Sequence, residues 1–296
     1  MPTEPAVRIT GLRKSYGEVE ALRGLDLEVA RGEIFGFLGP NGAGKTTTIR
    51  CLLDLIRPNA GTARVLGLDP RADAVAVRAR VGYLPGELHL DENMKVKATL
   101  RYFNSLRGGK ASWNDVCRLA ERLGLNLDLP VKNLSKGNKQ KVGVVQALMH
   151  RPDLLLLDEP TSGLDPLMQQ EVLRMIAEAR EAGATVLFSS HILSEVEAVA
   201  DRVGFIRRGA LVEVAETSEL ANRSLTKVRV RFKEPASPQV LAHLLGVKGL
   251  RVNDMEADFQ FEGEMEDLIK ALASMRVSRL ETERPSLEEL FLAYYE

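Results

Sequence analysis

A glycine-rich loop between a strand-like and a helix-like segment limits the possible folds of this chain more than any other feature. Residues 33–38 read Glu-Ile-Phe-Gly-Phe-Leu, and residues 39–46 read Gly-Pro-Asn-Gly-Ala-Gly-Lys-Thr. Apolar residues then recur at helical spacing, at Ile49, Leu52, Leu53 and Ile56. Strand, glycine-rich turn and helix in this order are the context of a phosphate-binding loop, which predicts an α/β fold.

The residues of this loop suit a nucleoside triphosphate. Glycines let the backbone curve so that successive N–H groups point toward phosphate oxygens, and the N-terminus of the following helix adds partial positive charge. We expect Lys45 to reach the β- and γ-phosphates and the hydroxyl of Thr46 to bind Mg²⁺. The alternative is a glycine-rich turn that binds nothing, which the Lys-Thr pair at this offset disfavours.

A second segment offers the acidic groups that the chemistry requires. Residues 154–157 are four leucines, which is typical of a parallel strand buried on both faces. The strand would deliver Asp158 and Glu159 to the carboxyl edge of the sheet, where ligands bind in α/β folds. We predict that Asp158 holds Mg²⁺ and that Glu159 is the general base for water. Taken alone, the segment could equally be a strand followed by an ordinary acidic turn.

Two further segments complete an ordered set. Leu134-Ser135-Lys136-Gly137-Asn138 lies between the first two segments, and His191 follows a strand-like run at residues 184–189. In this order the set resembles the ATP-binding subunit of ABC transporters, over about residues 7 to 215. The glycine-rich loop matches the Walker A motif, residues 154–159 match Walker B, and residues 134–138 match the signature loop.

The resemblance implies roles for individual residues. Ser135 and Gly137 would contact the γ-phosphate held by the opposite subunit, and Asp165 would belong to the D-loop at residues 162–165. His191 would be the switch histidine, and Tyr16 would stack on adenine, although either could instead be a structural or surface residue. Glu159 and His191 are thus the predicted catalytic residues. The predicted nucleotide-binding residues are Tyr16, Gly39, Pro40, Asn41, Gly42, Ala43, Gly44, Lys45, Thr46, Thr47, Ser135, Gly137 and Asp165.

The chain departs from the family pattern in two places. In the signature loop, Lys136 and Asn138 stand where a glycine and a glutamine are usual. The larger departure follows residues 81–85, which resemble the approach to the Q-loop. Gly86 occupies the slot of the expected glutamine or glutamate, and Glu87 comes next. Either Glu87 performs the Q-loop role after a shift of one residue, or no side chain performs it. We predict that Glu87 joins Thr46 and Asp158 in binding the metal.

Composition excludes several classes of protein. The formal net charge of −1 favours neither nucleic-acid binding nor attraction to an anionic membrane. The two cysteines, Cys51 and Cys117, fit neither a disulfide framework nor a metal-binding spacing, so a reduced cytosolic protein is expected. No N-terminal apolar segment suggests a signal peptide, and no apolar run approaches the ~20 residues of a spanning helix. The pore of a transporter would therefore be another chain.

The pattern of the sequence changes near residue 220 and predicts two domains. Residues 1–220 would form the ATP-binding domain, with an antiparallel β-subdomain at the start and a helical subdomain at about 88–150. Residues 221–296 read as strand, helix, strand, strand, helix, strand, the order of a small α+β ferredoxin-like domain. A final helix would begin at the capping pair Ser286 and Glu289 and present one apolar face, formed by Leu287, Leu290, Phe291 and Tyr294.

Function follows from the resemblance. The ending of the chain, from Pro285 to Phe291, resembles the tail of ATPases from bacterial drug and antibiotic exporters. The resemblance implies an ATPase subunit with ATP and Mg²⁺ as cofactors and two partners, an integral-membrane permease and a second ATPase subunit, with a homodimer favoured. It would lie in the cytoplasm, held on the inner membrane face by the permease. The alternatives are an ABC-type ATPase acting on nucleic acid or ribosomes and a nucleotide-binding regulator without hydrolysis, which Glu159 and His191 disfavour.

Overall fold

The structure is a computed structural model that describes residues 4–219, 226–234, 241, 244–263, 265–273 and 275–283. The chain divides into two compact units, Met1–Thr217 and Ser218–Glu296. None of the helices in the described part of the chain combines the length and apolar character needed to span a bilayer. The two units are described separately below.

A six-stranded, mostly parallel sheet forms the centre of the first unit. Its strands are β3 (Ile34–Leu38), β5 (Val81–Leu84), β6 (Leu154–Asp158), β7 (Thr185–Ser190), β8 (Arg202–Arg207) and β9 (Ala210–Glu216). They lie in the order β5-β6-β7-β3-β8-β9, and only the β8–β9 pair is antiparallel. Every residue of β3, β6 and β7 is buried, which explains why these strands are continuously apolar rather than alternating. The loops that follow these three neighbouring strands therefore meet at one edge of the sheet.

A second sheet of the first unit has three antiparallel strands. These are β1 (Val7–Tyr16), β2 (Val19–Val29) and β4 (Ala60–Val65), in the order β2-β1-β4. Along β1 and β2 buried residues alternate with exposed ones over much of their length, as expected for a sheet with one face on the core. The antiparallel start predicted from the sequence is present.

Within residues 4–216, seven α-helices connect or flank these strands: α1 (Lys45–Leu52), α2 (Ala74–Arg80), α3 (Val96–Leu106), α4 (Trp113–Arg122), α5 (Lys136–Leu148), α6 (Pro166–Glu181) and α7 (Leu193–Val199). Together with a 3₁₀ turn at Val131–Asn133, α3 to α5 make the predicted region at 88–150 largely helical. Helix α6 buries the face that contains Val172, Met175 and Ile176, and it ends shortly before Gly183, whose φ is 100°.

The first helix is shorter than its apolar spacing predicted. Helix α1 ends at Leu52, and Ile56 lies beyond it in a turn, although it still packs on the core. Asp54 has a φ of 50°, in the left-handed region, and Pro58 follows soon after. Both features oppose a further helical turn, so Ile56, the fourth residue of the apolar pattern, packs on the core from a segment that is not helical.

The described part of the second unit contains four strands and a helix: β10 (Thr226–Phe232), β11 (Val247–Asn253), β12 (Glu256–Phe261), α8 (Met265–Ala273) and β13 (Val277–Glu283). All pairs are antiparallel, in the order β11-β12-β10-β13. Along β10, Val228 and Val230 are buried, whereas Arg229 and Arg231 are exposed and pair with acidic residues of β12. The predicted helix at 239–245 lies largely outside the described residues, and the predicted final helix at 286–294 lies entirely outside them.

Candidate functional site

The glycine-rich loop follows β3 and cannot carry larger side chains at two of its glycines. A Cβ atom at Gly39 would lie 2.3 Å from the carbonyl oxygen of Ile206. Gly44 has a φ of 112°, and a Cβ there would lie 2.8 Å from the carbonyl oxygen of Ala21. The backbone of the loop is thus held between neighbouring strands in a conformation that favours glycine.

Lys45 is the first residue of α1, and its ammonium group folds back over this loop. The Nζ atom donates hydrogen bonds to the carbonyl oxygens of Gly39 at 2.5 Å and Pro40 at 3.1 Å. Burial lowers the pKa of Lys45 from its usual value, while the nearby carboxylates of Glu159 and Asp158 act to raise it. The side chain is only 5 % exposed and lies 3.8 Å from the Glu159 carboxylate, so a cation is held at the mouth of the loop.

Thr46 and Asp158 meet although 112 positions separate them in the sequence. The Thr46 hydroxyl donates to Oδ2 of Asp158 at 2.6 Å, and the Ser189 hydroxyl donates to Oδ1 at 2.5 Å. Asp158 is 1 % exposed, so its carboxylate is fixed by these two contacts. A hydroxyl and a carboxylate oxygen side by side are hard oxygen donors of the kind that Mg²⁺ prefers, and the residues therefore fit this ion.

The predicted catalytic pair lies at the ends of the adjacent strands β6 and β7. Oε1 of Glu159 is 3.2 Å from Nδ1 of His191. The backbone of Glu159 has a φ of 50°, which is uncommon for a residue other than glycine. Its N–H donates to Oγ of Ser189 at 3.0 Å, and its carbonyl oxygen accepts from Nε2 of Gln140 at 2.9 Å. The carboxylate predicted to be the general base therefore lies on a strained turn that is held by hydrogen bonds from β7 and α5.

The Q-loop position is close to the carboxylate of Asp158. A Cβ atom at Gly86 would lie 3.0 Å from Oδ2 of Asp158, so this backbone borders the Thr46–Asp158 pair. Glu87 is exposed, and within the described residues its side chain does not join the hydrogen bonds around Asp158. No cluster of three His, Cys, Asp or Glu side chains in the described part of the chain is arranged to hold a metal.

The signature-loop residues lie at the start of α5. Ser135 is the N-cap of this helix and accepts a hydrogen bond from the N–H of Asn138 at 3.2 Å. Ser135 is exposed, so it is available to a second molecule. At Gly137 a Cβ would lie 2.6 Å from the carbonyl oxygen of Gly163, which makes the signature loop and the D-loop direct neighbours. Asp165 of the D-loop caps α6 by accepting from the N–H of Met168 at 3.1 Å.

Tyr16 is the last residue of β1. Its ring is 48 % exposed, and Nζ of Lys14 lies 5.2 Å from the ring centroid. An exposed ring with one face beside a cation can still accept a flat base on its open surface. Stacking of Tyr16 on adenine stays a prediction.

Sequence reasoning missed four residues that shape this site, namely Ser189, Gln140, Glu195 and Ser190. Their buried polar side chains contact Asp158 or the turns that carry Glu159 and His191. A weak signal existed, because two serines at the end of a buried apolar strand require hydrogen-bond partners.

The family model described as ABC transporter matches residues 22–162. The daunorubicin/doxorubicin resistance ATP-binding protein DrrA of Streptomyces peucetius is 34 % identical over 311 residues, which cover 99 % of this chain and 94 % of DrrA.

The chain belongs to the ATP-binding proteins of ABC transporters.

Other members of the family agree with this assignment. The probable multidrug ABC transporter ATP-binding protein YbhF of Escherichia coli K12 is 37 % identical over 227 residues, 75 % of this chain, and the match spans only 39 % of YbhF. A solved ATP-binding subunit of an ABC transporter superposes with a TM-score of 0.66 at 29 % identity, covering 73 % of this chain and 91 % of that one. The chain is thus an ABC ATPase that uses ATP, and an ATPase acting on nucleic acid or ribosomes is not favoured.

Proposed function

We propose that this ABC protein is the ATP-hydrolysing subunit of an exporter whose permease is a separate membrane chain. The observation that carries the proposal is the meeting of five side chains at one sheet edge. Lys45 lies 3.8 Å from Glu159, Glu159 lies 3.2 Å from His191, and Thr46 donates a hydrogen bond to Asp158. A cation, a metal-binding pair and a carboxylate base beside a histidine are the parts that phosphoryl transfer to water needs. The names of relatives such as DrrA support export as the process that the ATPase drives.

ATP binding would involve side chains of the loop and of Asp158 that form hydrogen bonds within the protein in this structure. The Lys45 ammonium would exchange the carbonyl oxygens of Gly39 and Pro40 for the β- and γ-phosphates. Thr46 and Asp158 would hold Mg²⁺, which would supply charge neutralisation to the phosphates. The N–H groups of residues 42–47, at the start of α1, would donate to the remaining phosphate oxygens.

Hydrolysis would then depend on Glu159 and His191. Glu159 would accept a proton from the attacking water as the water oxygen bonds to the γ-phosphorus, while the bond from that phosphorus to the bridging oxygen breaks and ADP leaves. His191, already 3.2 Å from the Glu159 carboxylate, would orient the water and the γ-phosphate.

Two copies of the chain, arranged head to tail, would enclose the nucleotide between them. The exposed hydroxyl of Ser135 and the backbone of Gly137 would meet the γ-phosphate bound by the other copy, with Asp165 in the adjoining D-loop. A homodimer is the simplest closed arrangement. ATP would close the two copies and hydrolysis would reopen them, and this movement would drive the permease from the cytoplasmic face of the membrane.

Co-purification tests the export assignment against the alternative. Affinity-tagged protein extracted from its native membranes in detergent should bring with it, in stoichiometric amount, a polypeptide with about six apolar spans of membrane-crossing length. A Lys45→Ala variant would serve as a control for ATP dependence of the association. Recovery with ribosomes or nucleic acid, and without such a membrane polypeptide, would favour the alternative function.

The Q-loop role of Glu87 remains a prediction, which rests on the position of Gly86 beside Asp158. We expect Glu87→Ala to impair ATP hydrolysis or coupling to the permease while ATP affinity stays nearly unchanged. Phosphate release and ATP binding would be measured on the same preparation. Gly86→Ala is the matched variant, because its new Cβ would press on Asp158 and should weaken metal binding. If Glu87→Ala is silent in both assays, the loop acts without a side chain.

The domain boundary near residue 220 and the ferredoxin-like nature of residues 221–296 are also part of the proposal. The strand order β11-β12-β10-β13 and the separate apolar core around Val230 and Phe259 support a small independent domain. We further propose that this domain holds the dimer together between ATP cycles; the alternative is that it packs only on itself.

Truncation after about residue 220 tests the role of this domain. All the proposed nucleotide-binding residues precede the cut, so ATP binding by one subunit should be retained. Dimerisation should become weaker and more dependent on ATP, which sedimentation with and without ATP would measure. A truncated protein that dimerises without nucleotide as well as the full chain would assign the domain to permease contact or stability instead.

A further inference from the structure

Glu195 is a buried carboxylate that the proposed mechanism does not use. It lies in the first turn of α7 and is 6 % exposed. Its Oε1 accepts a hydrogen bond from the hydroxyl of Thr161 at 2.5 Å, and its Oε2 accepts one from the hydroxyl of Ser190 at 2.6 Å. Both hydroxyl-bearing side chains are themselves buried. Removing a carboxylate from water costs free energy, and these two hydrogen bonds offset part of that cost.

The two hydroxyl groups belong to the two turns that carry the catalytic pair. Thr161 lies two residues after Glu159, and Ser190 directly precedes His191. Ser190 Oγ also accepts from the N–H of Ile192 at 2.9 Å, so it braces the turn around His191. One carboxylate therefore ties the end of β6 to the end of β7 at the point where Glu159 and His191 meet.

The turn after β6 requires support from outside. Glu159 has a φ of 50°, and such a conformation persists where the surroundings determine it. Gln140, on α5, donates from Nε2 to the carbonyl oxygens of Glu159 at 2.9 Å and Pro160 at 3.1 Å. Thr161 is then held by Glu195 from α7. The segment 159–161 is thus fixed between two helices.

We propose that Glu195 is a positioning residue for ATP hydrolysis. By bonding Thr161 and Ser190 at once, it sets the distance between the Glu159 carboxylate and the His191 ring. It acts through these residues rather than on ATP itself. The inference rests on the proposed roles of Glu159 and His191. It adds to them the group that keeps these two side chains at a fixed distance from each other.

Replacement of Glu195 provides the test, with full-length protein and ATP–Mg²⁺. Glu195→Ala should lower kcat about 10- to 100-fold, because small displacements of catalytic groups have effects of this size. ATP affinity should change little, since the hydrogen bonds of the Glu195 carboxylate go to Thr161 and Ser190 and not to the proposed phosphate-binding residues. Glu195→Gln should restore most of the turnover, because a carboxamide can accept from one hydroxyl and donate to the other.

A matched control separates positioning from stability. Glu33 is also a buried glutamate, and its Oε1 accepts from the N–H of Ala30 at 2.6 Å. Glu33→Ala should lower the melting temperature without lowering kcat per folded molecule. If Glu195→Ala fails to fold, Thr161→Val and Ser190→Ala each remove one of the two hydrogen bonds, and each should lower kcat.

The His191→Ala background decides how Glu195 acts. If Glu195 positions the pair, Glu195→Ala should lower kcat much less once His191 is absent, because residues acting as a unit are not additive. An equal loss in both backgrounds, or an unchanged kcat in folded Glu195→Ala, would overturn the inference. Turnover in the parent protein that does not depend on Glu159 would instead refute the proposed role of Glu159, on which the inference rests, and would leave the general base to be assigned elsewhere.

Discussion

Replacing Glu159 by glutamine should lower ATP turnover about 10²- to 10⁴-fold while ATP still binds. The amide keeps the shape of the side chain, and its oxygen or nitrogen can still meet Nδ1 of His191, which lies 3.2 Å from the native carboxylate. It cannot accept the proton that the attacking water must lose. Phosphate release under saturating ATP and Mg²⁺ measures the loss, and the variant should accumulate as an ATP-bound dimer.

An exposed glutamate supplies the control for this substitution. Glu181→Gln, at the end of α6, makes the same chemical change at an exposed position that takes no part in the contact between Glu159 and His191, and it should leave turnover unaffected. If Glu159→Gln turned over ATP as the parent protein does, the general base would have to be assigned elsewhere, and His191 would be the next candidate.

Loss of the Lys45 ammonium should weaken ATP binding by about 1.5–3 kcal/mol, or roughly 10- to 150-fold, the value of a charge-assisted hydrogen bond. Lys45→Ala removes the cation at the mouth of the loop, and it also leaves the carbonyl oxygens of Gly39 and Pro40 without their present donor. Equilibrium dialysis with labelled ATP measures the affinity directly.

Lys132 is the matched residue for that experiment, because it is an exposed lysine in the 3₁₀ turn at Val131–Asn133. Lys132→Ala should bind ATP as the parent protein does. Undiminished ATP affinity in Lys45→Ala would remove the basis for assigning residues 39–46 as the phosphate-binding loop.

Local patterns predicted the parts of the site that lie within one segment. The glycine-rich loop, the buried strand before Asp158 and the helix that begins after Ser135 were all readable from short stretches of sequence. Periodicity was less reliable at element ends: Ile56 keeps helical spacing, yet it lies beyond the end of α1 because Asp54 and Pro58 stop the helix.

The order of strands in space could not be predicted from their order in the sequence. Strand β7 lies between β6 and β3, and this neighbourhood is what brings His191 beside Glu159. The supporting contacts are equally non-local. Gln140 reaches a carbonyl 19 residues away, and Glu195 bonds a hydroxyl 34 residues away. Only the folded sheet edge defines such pairs, so residue type and spacing gave no direct sign of them.

Retention of bound ATP tests most directly the claim that two copies of the chain enclose the nucleotide. Glu159→Gln would be loaded with labelled ATP and Mg²⁺, passed into ATP-free buffer, and followed for ATP release. Adding Ser135→Arg should not prevent loading of one subunit, but it should block the exposed surface that meets the second copy. Ser112→Arg is the matched control, because Ser112 is likewise an exposed serine that caps a helix, α4, in the same region.

We expect Glu159→Gln, with or without Ser112→Arg, to retain about one ATP per chain and to release it slowly, as a site closed by both copies should. With Ser135→Arg added, ATP should be lost rapidly on transfer. Equal release rates with and without Ser135→Arg would contradict the account, because the nucleotide would then be held by one copy alone.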